Sequence, residues 1–279
     1  MDTNKMLDLH DMQQEEVRLL DVFAQFCREH DLTFYLDAGT LIGAVRHQGF
    51  IPWDDDVDLS MPRPDYERMI ELQDELRRED AHLQGYWGYP LDQAPFARYV
   101  TDRVRIENVD VRDYDTNLWI DIFPIDGNPD DEEESLKQYL RANVYRRLMG
   151  AGFMRWHVIK NKVVAAGTHV LGPFLRSKVF LTPLVRRYHA LQTKVPFGST
   201  KTVGSFCNVS KGNEHRMPLE GYLKGVPVMF EGNEYPAMSC YDEHLTLMYG
   251  DYMTPPPEDK RVPSHSTRAW WVEGFGPKE

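Results

Sequence analysis

An α+β fold is predicted for this 279-residue chain by three observations. Short stretches of period two, which read as strands, alternate with apolar stripes of helical spacing over roughly the first half of the chain. A run of basic helices follows, and from about residue 201 the pattern returns to short strands and loops. Hydrophobic residues make up 42% of the chain, enough to bury a substantial core as one large domain or two modest ones.

Residues 11–30 carry a wide helical stripe, with Val17, Leu20, Ala24 and Cys27 beside Leu19, Phe23 and Phe26, and Asp11 with Gln14 resembles a capping box. Residues 33–39, TFYLDAG, read as a strand ending at a glycine, and Thr40 to Arg46 as one or two helical turns. Pro52 biases Ile51 toward an extended backbone, and a strand carries Asp56 to Met61. Pro64 begins a helix to about Asp80 with Tyr66, Met69, Ile70 and Leu76 inward, and 80–95, with Gly85, Gly88, Pro90 and Pro95, reads as a loop. Strands are expected over 96–106, with Arg98, Arg103 and Arg105, and over 117–124. Acidic residues 130–134 open a helix that ends near Gly150, with base at its end, as the helix dipole favours. Two or three basic helices occupy 153–192, broken at Gly172-Pro173 and Pro183. A strand at 226–230, a helix at 236–248, a proline-rich segment at 249–265 and a loose tail beyond Trp271 complete the chain.

Function is concentrated in residues 37–62. On a strand, Asp56, Asp58 and Ser60 point to one face and Val57, Leu59 and Met61 to the other, with same-face residues roughly 6.6–7 Å apart. Carboxylates so spaced repel, and a divalent cation resolves the repulsion, as Mg²⁺ is held by one or two carboxylates plus substrate phosphates. The apolar residues at alternate positions argue for a half-buried strand over a solvated acidic turn. An EF-hand loop fails because Leu59 stands at its glycine position and Pro62 interrupts it. The stretch therefore predicts a metal-dependent phosphoryl-transfer centre. Asp121, alone among apolar neighbours, is either a third metal ligand or the partner of one of the arginines. Gly39 and Thr40 at a helix start suit a phosphate, although alone such a pair is usually a turn and an N-cap. Arg46 suits a pyrophosphate or is a surface residue; His47 is a ligand contact or an ordinary loop histidine. Trp53 stacks on a base or sugar or, as the commoner fate of Trp, packs on the core. Tyr249, Asp251, Arg261 and His265 are within the segment that would reach this site.

The net charge of −12 is uneven. Residues 135–213 contain fourteen Lys and Arg and no Asp or Glu, leaving −26 for the rest of the chain. The acidic total argues against nucleic acid as a partner. The basic middle suits either an anionic membrane or acceptor, or a solvated face paired with acidic parts of the same protein. No secretory leader and no membrane-length apolar stretch is read, and three scattered cysteines suit a reducing compartment, so a cytoplasmic setting is expected, with contact at the inner membrane face allowed.

GTLIGAVRHQGFIPWDDDVDLSMPRPDYERM resembles the signature of the LicD-type phosphorylcholine transferases, relatives of the fukutin group in the nucleotidyltransferase-fold superfamily. LWIDIFPIDG and YGDYMTPPPEDKR resemble that family's second and third motifs, so the resemblance spans roughly residues 15–265. It implies a nucleotidyltransferase-like core with a mixed sheet flanked by helices. Within it, a catalytic core is expected over 1–130, a basic helical insertion over 131–200 and an α/β region completing the pocket over 201–279. It also implies transfer of phosphocholine, or a similar phospho-alcohol, from a CDP-activated donor to a sugar hydroxyl of a surface glycan or lipid-linked sugar, with CMP leaving. Mg²⁺, or Mn²⁺ in its place, would be held by Asp56, Asp58 and Asp121 with help from Asp54, and Gly39 and Thr40 would hold phosphate. Two other readings stand beside it: a nucleotidyltransferase that attaches NMP and releases pyrophosphate, and an inactive glycan- or membrane-binding protein.

Overall fold

The first helix, α1 (Leu9–Glu29), starts where its backbone donors find a partner. The Asp8 carboxylate accepts from the Asp11 N–H at 2.9 Å, and the Asp11 carboxylate accepts from the Asp8 N–H at 3.4 Å. The Asp11–Gln14 pair expected to form the cap lies inside the helix, because Asp8 is the residue with the extended backbone a cap needs. Leu19, Leu20, Phe23, Ala24, Phe26 and Cys27 form its buried stripe. The computed structural model describes residues 6–85, 96–108, 116–154, 159, 161–207, 216–263 and 267–275.

Strands β1 (Tyr35–Leu36), β2 (Asp58–Pro62), β5 (Thr116–Asn128), β4 (Ala97–Asn108) and β10 (Thr267–Trp271) lie side by side in that order. The β2–β5 pair is parallel and the other neighbours are antiparallel, so the sheet is mixed. β3 (Ala81–Gln84) adds to β4, β6 (Thr202–Gly204) adds to β5, and β7 (Met217–Pro218) pairs with β6. A separate hairpin joins β8 (Gly225–Phe230) to β9 (Asn233–Met238) through Glu231 and Gly232, both at positive φ as a type I′ turn requires. Helix α2 (Ala38–His47) connects β1 to β2, and α3 (Arg63–Glu71) and α4 (Gln73–Leu76) follow β2. Helices α5 (Glu132–Gly150), α6 (Lys162–Leu175) and α7 (Lys178–Gln192) come after β5, and α8 (Leu219–Leu223) and α9 (Tyr241–Tyr249) bracket the hairpin. This is the α+β arrangement predicted: a mixed sheet flanked by helices, matching a nucleotidyltransferase-like core.

One apolar core draws on residues from Leu19 to Ile125 and again from Val203 to Tyr252, so both ends of the chain pack against the sheet. A second cluster, including Tyr139, Ala142, Leu181, Tyr188 and Phe206, joins α5 to α7. Between them, Arg63 holds Asp126 through two hydrogen bonds of 2.7 and 2.6 Å, a buried bidentate pair that ties α3 to β5.

Several local expectations change. The strand at 33–39 shrinks to two residues because Asp37 caps α2 and Ala38, at φ +45°, turns the chain. Asp56 precedes β2 rather than lying on it, and Ser60 is fully buried, so β2 is an interior strand covered on both faces instead of half-buried. The helix expected to run to Asp80 leaves helical geometry at Leu72 (φ −89°, ψ 13°), and β3 occupies part of the expected loop; residues 86–95 lie outside the described residues. Pro173 and Pro183 sit inside α6 and α7, and the break falls between those helices, where Ser177 caps α7. Pro236 to Met238 belong to β9, and α9 starts only at Tyr241. Residues 272–275 are held rather than loose: the Val272 N–H donates to the Arg103 carbonyl at 2.8 Å.

Candidate active site

Parallel pairing of β2 with β5 sets Asp58 opposite Asp121. Antiparallel pairing of β5 with β4 sets Asp121 opposite Arg98, whose Nε–H donates to the Asp121 carboxylate at 3.0 Å. The salt bridge weighed for Asp121 therefore forms, alongside its adjacency to Asp58. The Arg98 guanidinium also lies over the Trp119 ring at 4.2 Å, which fixes its plane.

Before β2, the chain folds Asp54, Asp55 and Asp56 into a group in which one carboxylate oxygen from each lies within 4.8 Å of the others. Asp54 and Asp55 are buried, and Gln13 from α1 donates to the Asp54 carbonyl at 2.9 Å. The tightest acidic triple thus includes Asp55, which motif reading passed over, while Asp58 and Asp121 adjoin it from the sheet. Burial, and then the charges of Asp56, Asp121, Asp37 and Asp54, push the Asp58 carboxyl well above the usual carboxylate range. Glu16, 1% exposed on α1, is pushed the same way by burial and by Asp56, Asp55, Asp54 and Asp121.

Helix α2 starts beside this cluster. An added Cβ on Gly39 would lie 2.8 Å from Asp54 Oδ2, so the glycine is required for the carboxylate to pack there. Thr40, 1% exposed, accepts the Asp58 N–H at 2.8 Å, which pins the strand to the helix. Asp37 caps α2 through the Ala38 N–H at 2.7 Å and contacts His244 Nε2 from α9 at 3.0 Å.

On the outer side, Arg46 donates to the Tyr252 carbonyl at 2.5 Å and to His47 Nε2 at 2.9 Å. Burial, then the neighbouring Arg46 charge, lowers the His47 pKa. Burial also lowers that of Arg46, with Asp54 opposing and Arg261 reinforcing the shift. Trp53 packs partly buried against the core and presents its ring to Arg261 at 5.6 Å. Arg46, Trp53 and Arg261 therefore stand together beside Asp54. Tyr249, 46% exposed overall, also stands near the acids: desolvation of its phenol, then Asp58, Asp37, Asp56 and Asp54, push its pKa up. Asp251 instead accepts the Thr254 N–H at 3.3 Å in a local turn, and His265 lies outside the described residues.

Besides Asp55, three site residues escaped the sequence reading: Glu16, Asp37 and His244. Glu16 had a signal, since it falls on the same helical face as Met12, Leu19 and Phe23, where a carboxylate is out of place. Asp37 lies two residues before Gly39, at the edge of the Gly39-Thr40 pair. His244 had none, because its contact is 207 residues away in sequence.

The acidic triple is oxygen-only and crowded, the donor chemistry that a hard divalent cation takes and that Zn²⁺-type nitrogen and sulfur sites lack. Mixed sheet, capped helix and acidic centre together are consistent with a nucleotidyltransferase-like core. Residues 31–148 match the family described as LicD/FKTN/FKRP, nucleotidyltransferase domain. Over 95% of the chain, and 99% of the relative, the sequence is 29% identical to the lipopolysaccharide cholinephosphotransferase LicD of Haemophilus influenzae. A shorter match, 28% identical over 49% of the chain and 12% of the relative, is to mannosyltransferase regulator 4 of Saccharomyces cerevisiae. The chain is thus similar to the LicD family over residues 31–148 and, through the Haemophilus relative, along nearly its whole length.

Proposed function

We propose that the protein transfers phosphocholine, or a closely similar phospho-alcohol, from a CDP-activated donor to a sugar hydroxyl of a lipopolysaccharide-type glycan, releasing CMP. The observation that carries this reading is similarity along nearly the full length of both chains to a lipopolysaccharide cholinephosphotransferase. The acidic centre at the start of β2 is its chemical support.

In this reading Asp54, Asp56, Asp58 and Asp121 hold Mg²⁺, which when bound draws charge from the donor phosphates. Arg46 and Arg261 offset the remaining phosphate charge, and the first turn of α2, at Gly39 and Thr40, offers backbone N–H groups to a phosphate oxygen. Trp53 lies against the nucleoside. Arg98 fixes the orientation of Asp121, which takes the proton of the acceptor hydroxyl. The acceptor oxygen forms the new bond to the phosphocholine phosphorus, and the bridging oxygen leaves with CMP together with the bonding electron pair.

Calorimetric titration of CDP-choline with and without Mg²⁺, followed by product analysis, tests this. Mg²⁺-dependent binding and CMP release support it. Pyrophosphate formed from a nucleoside triphosphate, with CDP-choline inert, replaces it with a nucleotidyltransferase; binding of CDP-ribitol or CDP-glycerol alone changes the donor.

A further inference from the structure

Helix α5 is apolar on two sides. Ser135, Gln138, Tyr139, Ala142 and Met149 are buried, while Leu136, Leu140, Val144 and Leu148 are exposed at intervals of four residues. At 3.6 residues per turn, that exposed stripe centres about 180° from the buried one. Arg147 falls within the exposed stripe and Arg141 at its edge, both exposed.

Helix α6 goes further. Val163, Val170, Leu171 and Phe174 recur at i, i+7, i+8 and i+11 on one face, with Val163 81% and Val170 76% exposed. On α7, Val179 is 79% exposed, and exposed Arg186 shares its face. The three helices are joined to one another: Arg176 Nη1–H donates to the Gly152 carbonyl at 2.8 Å, and the Phe174 and Phe180 rings lie 5.4 Å apart. Exposed apolar side chains on three neighbouring helices mark a docking surface. Residues 135–213, which hold all three helices except the acidic first turn of α5 (Glu132, Glu133 and Glu134), have fourteen Lys and Arg and no carboxylate side chain.

We infer that α5, α6 and α7 dock the protein on an anionic lipid bilayer, with the valines, leucines and Phe174 entering the headgroup region and the arginines meeting lipid phosphates. Charge selects this occupant. A second copy of the chain on the same face would set cation against cation, whereas an anionic bilayer complements the arginines and receives the apolar stripe. Among the described residues no helix is long and apolar enough to cross a membrane, so these helices lie on the surface. The inference does not depend on which phospho-alcohol is transferred.

Flotation of the full chain with phosphatidylcholine vesicles, with and without about 30% phosphatidylglycerol, tests it at low and raised salt. Binding is expected to the anionic vesicles only and to weaken with salt. Val170→Asp with Phe174→Asp, and separately Arg147→Glu with Arg186→Glu, should each weaken binding about tenfold or more. The second pair leaves the apolar face intact, so it decides the matter where the first fails to fold, as read by thermal melting. Asp58→Asn should float like the unaltered protein, so failure of the proposed chemistry and failure of membrane docking are read apart. Absence of flotation at low salt, or flotation indifferent to both variant pairs, overturns the inference. So does a concentration-dependent dimer that Val170→Asp dissolves, which would make a second copy the occupant.

Discussion

Gly39 shows how one missing side chain shapes the acidic centre. Alanine there should gain up to about 1 kcal/mol of helix propensity, yet its Cβ would press on Asp54 Oδ2. Gly39→Ala is therefore expected to change stability by no more than about 1 kcal/mol while lowering transfer at least about tenfold, measured by denaturation and CMP release. Asp58 makes the opposite trade. Its folded-state pKa lies above the ordinary 3.8, so the folded protein keeps that proton to higher pH than the unfolded chain does. The stability it contributes is complete below pH 3.8 and is lost as pH rises through the folded pKa. Without divalent cation, the melting temperature should fall as pH rises from 3.8 through the folded pKa and level off beyond it, and Asp58→Asn should flatten the fall. Mg²⁺ should raise the melting temperature of the unaltered protein at neutral pH and do so less in Asp58→Asn, while that variant loses transfer by about a hundredfold or more. A variant with full turnover would remove Asp58 from the site.

At the scale of elements, the site depends on how α9 meets α2. His244 and Asp37 are buried together, and Asp37 caps the helix that carries Gly39 and Thr40. His244→Ala should cost about 1–3 kcal/mol by leaving Asp37 without this partner, and should lower turnover through misplacement of α2. His244→Gln, whose amide can donate near the same position, should restore part of both; equal loss in the two variants would show that volume, not the hydrogen bond, matters. The helix was legible in sequence but its contact with Asp37 was not. The segment 236–248 was read as one helix, and the residues that make β9 and the start of α9 differ only in context. By contrast α5 was legible to within two residues, because its acidic start, basic end and terminal glycine all agree.

For the whole molecule, the Arg63–Asp126 pair is the polar joint between α3 and the sheet, both side chains being almost fully buried. Burial raises the Asp126 carboxyl, with Arg63 opposing and Glu67 adding to the rise, so the pair holds only as a unit. Arg63→Met should cost about 3–5 kcal/mol in chemical denaturation, because it strands a buried carboxylate, and adding Asp126→Leu should recover much of that loss. Failure of the double variant to recover would mean that the pair's hydrogen-bond geometry, not charge compensation, secures the joint. The same scale governs the core: residues after Val203 complete an apolar cluster begun by α1, so the first and last thirds of the chain stabilise one another.

The sequence by itself determined the fold class, the motifs, a short helix around Gly39-Thr40, and the candidate carboxylates Asp54, Asp56, Asp58 and Asp121. Each of these is written in local spacing, in residue types whose backbone and charge preferences act over a few positions. Only the tertiary structure decided that Asp121 pairs with Arg98 while facing Asp58, and that Glu16 and His244 join the centre from distant helices. It also decided that Asp55 belongs to the tightest acidic triple, and that Arg261 returns to Trp53. Those contacts arise from strand register and helix packing between segments far apart in the chain. Register depends on which strands find one another as the core closes, and no local spacing encodes that choice.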